Sequence, residues 1–164
     1  MYTIFFNYWR RAAFFFLLAL LLYTYLGLPE SVAIKHNEIG RPIGFISKQK
    51  FFYISVVVIV LLNLVFGLVK TQISKIDFEK RFSNNKTMGN LYLKGILSGW
   101  LNAILAFIFT YLIFVLFSLQ TINRDISQNL DRDYSWILII GAVLFLIILF
   151  SVPLKLLVGK TSKT

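Results

Sequence analysis

The sequence predicts an all-α membrane protein with four transmembrane helices. Hydrophobic residues make up 58% of the 164 residues and charged residues only 15%, against about 25% charged residues in a typical soluble domain. The charges are also unevenly placed, because four long stretches contain none: 12–29, 51–69, 95–123 and 134–154. A soluble helix needs polar residues along its outer face. These stretches therefore exclude a soluble domain.

Each of the four stretches contains a segment long enough to cross a bilayer. A hydrocarbon core about 30 Å thick is spanned by about 20 apolar residues of helix. We expect the membrane helices at about 12–28, 51–69, 95–119 and 136–154. Residues 1–164 then form a single domain. The first segment follows two arginines as a signal peptide would, but no small-residue cleavage site comes after it, so we interpret it as a membrane helix.

The basic residues predict the orientation of the helices. Short loops rich in Lys and Arg face the cytoplasm. The two chain ends and loop 70–94 carry eleven Lys and Arg, whereas loops 29–50 and 120–135 carry six. We therefore expect cytoplasmic N and C termini and two extracytoplasmic loops. The net charge of +10 is then explained by the attraction of basic residues to anionic lipid. The expected partner is therefore the lipid bilayer, and we expect no binding to nucleic acid.

Loop 29–50 is predicted to be structured. Residues 32–36 alternate in the manner of a short strand, and residues 37–40 are typical of a turn. Phe45 and Ile46 can then either pair back onto the first strand or dip into the membrane interface. The sequence therefore predicts a rigid extracytoplasmic cap after the first membrane helix.

The same loop carries a spaced motif. Its residues are Leu28, Pro29, Val32, His36, Asn37, Gly40, Pro42, Gly44, Ser47 and Lys48. With a membrane segment on either side, this motif resembles the bacterial domain-of-unknown-function 1648 family, a membrane unit found in relatives of the SdpI immunity protein. The resemblance covers about residues 12–70. It implies a multi-pass protein of the bacterial plasma (inner) membrane, and it makes the motif loop a candidate site.

His36 is the only histidine in the chain. It can be interpreted as a metal ligand, as a pH sensor or as a structural hydrogen-bonding group. A zinc site needs three or four ligands, and the chain has no cysteine. We therefore expect a structural hydrogen bond within the loop, with no metal and no cofactor.

The two other loops carry weaker patterns. In loop 70–94, residues 75–82 fit a short surface helix that either lies against lipid or docks a cytoplasmic partner. In loop 120–135, three apolar residues spaced four apart predict a short amphipathic helix, with Asn123 as its N-cap.

Polar and small residues within the membrane segments predict how the helices pack. Gly95, Ser98 and Gly99 form a small-residue face of the kind that lets helices approach closely, either within this chain or in a dimer. Asn63 and Asn102 lie at similar distances from the inner ends of their segments. Because an unpaired amide in lipid is costly, we expect these two side chains to face each other or to share a hydrogen-bonding partner.

The functional prediction follows from what the membrane segments contain. No ionisable residue lies at the centre of any span, where transporters and proton relays place such groups. The sequence also has no recognisable catalytic motif. The leading hypothesis is a non-catalytic protein that contacts other membrane proteins, as an accessory subunit or as an immunity or sensor protein. The alternative is a small transporter or channel subunit that works as a homo-oligomer.

Overall fold

The computed structural model describes residues 2–76, 90–125, 127–130 and 135–161. These residues form four helices and one antiparallel β-hairpin. The helices are α1 (Tyr2–Gly27), α2 (Lys48–Lys75), α3 (Asn90–Arg124) and α4 (Ser135–Thr161), and the strands are β1 (Ser31–His36) and β2 (Pro42–Ser47).

The helices have the character expected of membrane helices. Three are long and apolar enough to cross a membrane, over Ile4–Gly27, Lys48–Lys75 and Tyr92–Arg124, whereas the described apolar stretch of α4, Ile139–Leu154, is shorter. α1, α2 and α3 all extend beyond their uncharged segments, because a helix satisfies its own backbone hydrogen bonds and can continue past the hydrocarbon.

The core lies between α1 and α3. On α3, the buried residues Asn102, Phe109, Leu116 and Asn123 follow one another at intervals of seven, which returns each side chain to the same face after two turns. The buried stripe of α1 faces them. Its members are Ala13, Leu17, Leu21 and Thr24, and buried Leu28 follows directly after the helix. Because lipid is as apolar as these side chains, close packing rather than the hydrophobic effect holds such a pair together.

α2 packs more loosely than α1 and α3. Ile59 is its buried residue and joins the cluster around Phe109. Near the hairpin, the ring of Phe52 lies 4.8 Å from that of Tyr25 in α1. Most of the other apolar side chains of α2 are exposed or half-buried, as expected for a helix whose outer surface faces lipid.

α4 lies along α3. The rings of Phe107 and Phe145 are 6.1 Å apart, and the Trp100 indole N–H donates to the Ile148 carbonyl oxygen at 2.9 Å. The same oxygen also accepts the Ser151 hydroxyl at 2.7 Å. Pro153 follows inside α4 and removes one backbone hydrogen bond there. The Trp100 side chain therefore holds this part of α4 against α3, whereas the Ser151 hydroxyl bonds within α4 itself.

The expected pairing of Asn63 with Asn102 is wrong. The Asn63 amide donates to the Ile59 carbonyl oxygen of its own helix at 3.4 Å. No hydrogen bond joins the two amides. Asn102 is nevertheless buried, with 4% of its surface exposed.

The register of the helices explains this difference. α1 and α2 run antiparallel and meet at Tyr25 and Phe52. Counting eleven residues along each helix from that contact places Asn63 opposite Phe14. The Phe14 ring in turn packs 5.7 Å from that of Phe109. Asn102 precedes Phe109 by seven residues, so it lies about 10 Å from the level of Asn63. The offset arises because the N-terminal end of α3 extends beyond the neighbouring ends of α1 and α2.

The small-residue face of α3 is only partly used. Gly99 is buried, whereas Gly95 and Ser98 are half-buried. A Cβ atom added at Gly95 would meet no heavy atom within 4 Å among the described residues. Gly95 therefore brings no described helix close to α3.

A different glycine governs the contact between α3 and α4. A Cβ atom at Gly141 would overlap the ring of Tyr111, whereas one at Gly67 would meet nothing within 4 Å. We expect Gly141→Ala to lower the thermal unfolding temperature in mild detergent, because the ring must move and α4 must separate from α3. Gly67→Ala is the matched control and should leave that temperature unchanged or raise it, since alanine favours the helix. Equal effects of the two substitutions would contradict this role of Gly141.

Candidate functional site

Asn37 closes the turn of the hairpin. Its side-chain oxygen accepts the backbone N–H groups of Ile39 at 3.1 Å and Arg41 at 2.8 Å. Its own backbone N–H donates to the Arg41 carbonyl oxygen at 2.9 Å. Gly40 completes the turn with a φ of +79°, a conformation that glycine adopts without strain. The structure therefore has a strand, a turn and a returning strand over residues 31–47.

Two irregularities shape the strands after the turn. Lys35 pairs with Gly44 and His36 with Pro42, with a register shift on either side of Lys35. A Cβ atom at Gly44 would lie 2.9 Å from the Cβ atom of Lys35. Glycine at this position therefore permits the two strands to approach closely, and the β-bulges bend the hairpin. The motif residues Asn37, Gly40 and Gly44 thus set the geometry of the hairpin.

The hairpin is anchored to α3 through Asn123. Its side-chain oxygen accepts the Ala33 backbone N–H at 2.7 Å, and its amide donates to the Ala33 carbonyl oxygen at 3.1 Å. The amide also donates to the Leu119 carbonyl oxygen of its own helix at 3.0 Å. Asn123 is 3% exposed and Ala33 2% exposed. A single side chain thus supplies both hydrogen bonds that another strand would have offered to Ala33.

The residues after α3 form a second anchor. The Gln128 amide donates to the Ser31 carbonyl oxygen at 2.9 Å, and the Leu130 N–H donates to the Gly40 carbonyl oxygen at 2.8 Å. A Cβ atom at Gly40 would lie 2.7 Å from the Leu130 carbonyl oxygen. Glycine at 40 is therefore required twice, for the turn and for this contact.

His36 belongs to the second anchor. Its Nε2 lies 2.9 Å from the Gln128 carbonyl oxygen. Because a carbonyl can only accept, Nε2 carries the proton in this bond. The hydrogen bond was expected within loop 29–50, but the structure makes it to the segment after α3. No group of three or more potential metal-ligating residues occurs in the part of the chain that the structure describes.

The base of the hairpin is tied to the helices. Pro29 stands between α1 and β1 and is half-buried. Ser47 is the N-cap of α2, and its hydroxyl accepts the Lys50 N–H at 3.4 Å. The Lys48 N–H donates to the Glu30 carbonyl oxygen at 3.0 Å. The Lys48 ammonium also lies 5.0 Å above the Tyr25 ring, a cation–π contact.

The prediction for loop 120–135 is wrong in two respects. Asn123 lies inside α3 and is not an N-cap, because α3 continues to Arg124. No second helix begins there in the described part, since Gln128 has a φ of +49° outside any helix. A spacing of four fits the last turns of a long helix as well as a new one. The short helix predicted over 75–82 falls mostly within 77–89, outside the described residues.

Sequence reasoning missed the anchoring side chains. Thr24 is fully buried, and its hydroxyl lies 3.5 Å from the Gln120 side-chain oxygen, while Asn123 and Gln128 hold β1. The available signal was the concentration of amides in residues 120–129. An amide has both donors and acceptors and can therefore bind the free edge of a strand.

The described residues thus form a helical bundle in which three helices are long and apolar enough to cross a membrane, with a β-hairpin fixed across the ends of the parallel helices α1 and α3. No family model matches the chain, and neither a curated protein nor a solved structure matches it.

We expect Asn123→Ala to release the hairpin. The substitution leaves the buried N–H and carbonyl of Ala33 without partners, at about 1–3 kcal/mol for each group. Hydrogen exchange of residues 31–47 should accelerate strongly. Asn63→Ala is the matched control, because that amide bonds only to its own helix, and it should leave hairpin exchange unchanged. Unchanged exchange in Asn123→Ala would refute the anchor.

Gly40→Ala should also weaken the hairpin. The substitution places a side chain in the left-handed region and against the Leu130 carbonyl, and each effect costs about 1 kcal/mol or more. Limited proteolysis should then cut between residues 37 and 42 at a higher rate than in the parent protein. Gly95→Ala, where the added atom meets open space, should leave that rate unchanged. Equal cleavage rates in the two variants would contradict the requirement for glycine at 40.

Proposed function

We propose that the chain is a non-catalytic, multi-pass protein of the bacterial inner membrane that acts by contact with another membrane protein. It serves as an accessory or stabilising subunit of a complex, or as an immunity or sensor protein. The docking surface is the outward face of the hairpin. The observation that carries this proposal is that the hairpin exposes large apolar side chains while hydrogen bonds fix it to α3 and to the segment after α3.

The hairpin exposes four large apolar side chains. They are Ile34, Ile39, Ile43 and Phe45, exposed by 53%, 80%, 55% and 52%. Along β2, exposed and half-buried residues alternate, so Ile43 and Phe45 share one face of the strand. Exposed apolar residues on a structured element are typical of an interaction surface.

The anchors give this surface a fixed shape. The hydrogen bonds to Ala33, Ser31 and Gly40 all come from α3 or from the segment after it. A surface that is already ordered loses less conformational entropy on binding. The motif residues support this function indirectly, because they set the turn and the strand approach that present the apolar side chains.

The charges around the apolar residues favour a protein partner over a lipid surface. Lys35, Glu38 and Arg41 are all exposed on the hairpin. A surface that binds lipid headgroups is usually rich in Lys and Arg on its polar side. Mixed charges around an apolar centre instead resemble the polar rim of a protein interface.

The proposed orientation has four membrane spans with both termini cytoplasmic and the hairpin extracytoplasmic. The contacts of the hairpin with residues 123–130 support it, because loops 29–50 and 120–135 must share one side in a four-span chain. In this proposal α4 is the fourth span, and its antiparallel course along α3, with the Trp100–Ile148 and Phe107–Phe145 contacts, supports that assignment. The resemblance of residues 12–70 to a bacterial membrane family is the basis for the location and stays a prediction.

A photo-crosslinking amino acid at position 43 tests this function. In native membranes, we expect a single major protein adduct from position 43, because the side chain there projects from the docking surface. Position 57 on α2 is the control, since Val57 is similarly exposed, by 54%, but lies on a helix with lipid around it. It should give lipid adducts.

The adduct should disappear in Phe45→Ser while membrane insertion and detergent extraction stay unchanged. Lipid adducts alone from position 43 would refute the docking surface. Solute flux by the purified homo-oligomer in vesicles would support the alternative of a transporter or channel subunit.

A further inference from the structure

Arg10 lies on the buried stripe of α1. It precedes Ala13 by three residues and Leu17 by seven, so it shares the face that packs against α3. The Arg10 side chain is half-buried, and its Nε atom is buried without a hydrogen-bond partner among the described residues. A guanidinium at such a position favours an anionic partner.

Two further cations lie near Arg10. Arg11 is the next residue along α1, and Lys70 of α2 lies near the two arginines. The helix register agrees. From the Tyr25–Phe52 contact, Arg10 lies fifteen residues along α1 and Lys70 eighteen residues along α2. Their levels therefore differ by three residues, or about 4.5 Å.

The described carboxylates are at the opposite end of the bundle. Glu30 and Glu38 belong to the hairpin region, and Asp125 follows α3 directly. Within the described residues, no carboxylate neutralises Arg10 or Lys70 at this end. Among the described residues, Arg10 and Lys70 therefore place an excess of positive charge beside an apolar helix surface at this end.

α3 places a neutral hydrogen-bonding group at the same level. Counting seven residues back from the Phe14–Phe109 contact puts Asn102 opposite residue 7 of α1, less than one turn from Arg10. Asn102 is buried on the face of α3 that packs against α1. Two cations and an amide on three helices provide the kind of donors that a phosphate group takes.

We infer that this cluster, formed by Arg10, Lys70 and Asn102, binds the phosphate group of an anionic phospholipid. A lipid is favoured over a free anion by the surroundings. The exposed side chains just beyond the cluster are apolar from Ala12 onward, and Tyr8 and Trp9 precede it, as is typical of the headgroup level of a membrane. Basic pockets between membrane helices are suited to anionic headgroups.

Native mass spectrometry of the full chain tests this site. The protein is purified in mild detergent, stripped of lipid and titrated with phosphatidylglycerol, phosphatidylcholine or inorganic phosphate. We expect one phosphatidylglycerol to bind at least about tenfold more tightly than phosphatidylcholine, because a charge-assisted hydrogen bond in a partly buried site gives such a factor.

Three variants locate the bound lipid. Arg10→Gln and Lys70→Gln should each weaken phosphatidylglycerol binding by about tenfold. Arg11→Gln is the matched control, because Arg11 carries the same charge, is adjacent to Arg10 and has an exposed side chain. This substitution should change binding less than threefold. Arg10→Lys keeps the charge and should retain most of the affinity, which separates loss of the site from loss of the fold.

Three outcomes would overturn the inference. Equal losses in Arg10→Gln and Arg11→Gln would show diffuse attraction rather than a site. Equal binding of the two lipids would show that the phosphatidylglycerol charge is not recognised. Binding of inorganic phosphate as tight as that of phosphatidylglycerol would show a site for free anions. A circular dichroism spectrum matching that of the parent establishes that each variant is folded.

Discussion

The hydrogen bonds between Asn123 and Ala33 are the constraint on which the outer part of the molecule depends. A two-stranded hairpin is marginally stable by itself, and β1 would present an unpaired edge. The Asn123 amide at the end of α3 supplies both the donor and the acceptor that this edge needs at the buried residue Ala33. Anchoring converts a short loop into a fixed surface, and every feature of the proposed docking face depends on it.

The same logic applies along the whole length of α3. Its buried stripe is apolar in the middle, at Phe109 and Leu116, and carries an asparagine at each end. In the middle, close packing joins α1 and α3, and a polar group there would gain little in lipid. At one end, the Asn123 amide binds the backbone edge of β1. This end holds the hairpin, and the other lies at the level of Arg10 and Lys70.

The motif of loop 29–50 acquires a physical explanation from this arrangement. Asn37 caps the turn, Gly40 has a positive φ and contacts Leu130, and Gly44 admits the opposite strand. These residues build the frame, and the exposed side chains between them are free to suit a partner. A motif of this kind therefore indicates the geometry of the hairpin more directly than it indicates a ligand-binding site.

The sequence by itself determined the membrane character, the positions of three apolar helices, and the strand and turn at 31–47. These follow from hydrophobic length and local turn chemistry, which act within a few residues. Tertiary structure decided that Asn123 binds β1 instead of capping a helix, that Asn63 misses Asn102, and that His36 bonds to Gln128. Each depends on how far one helix slides along another, and that register is set by side-chain packing between segments distant in sequence.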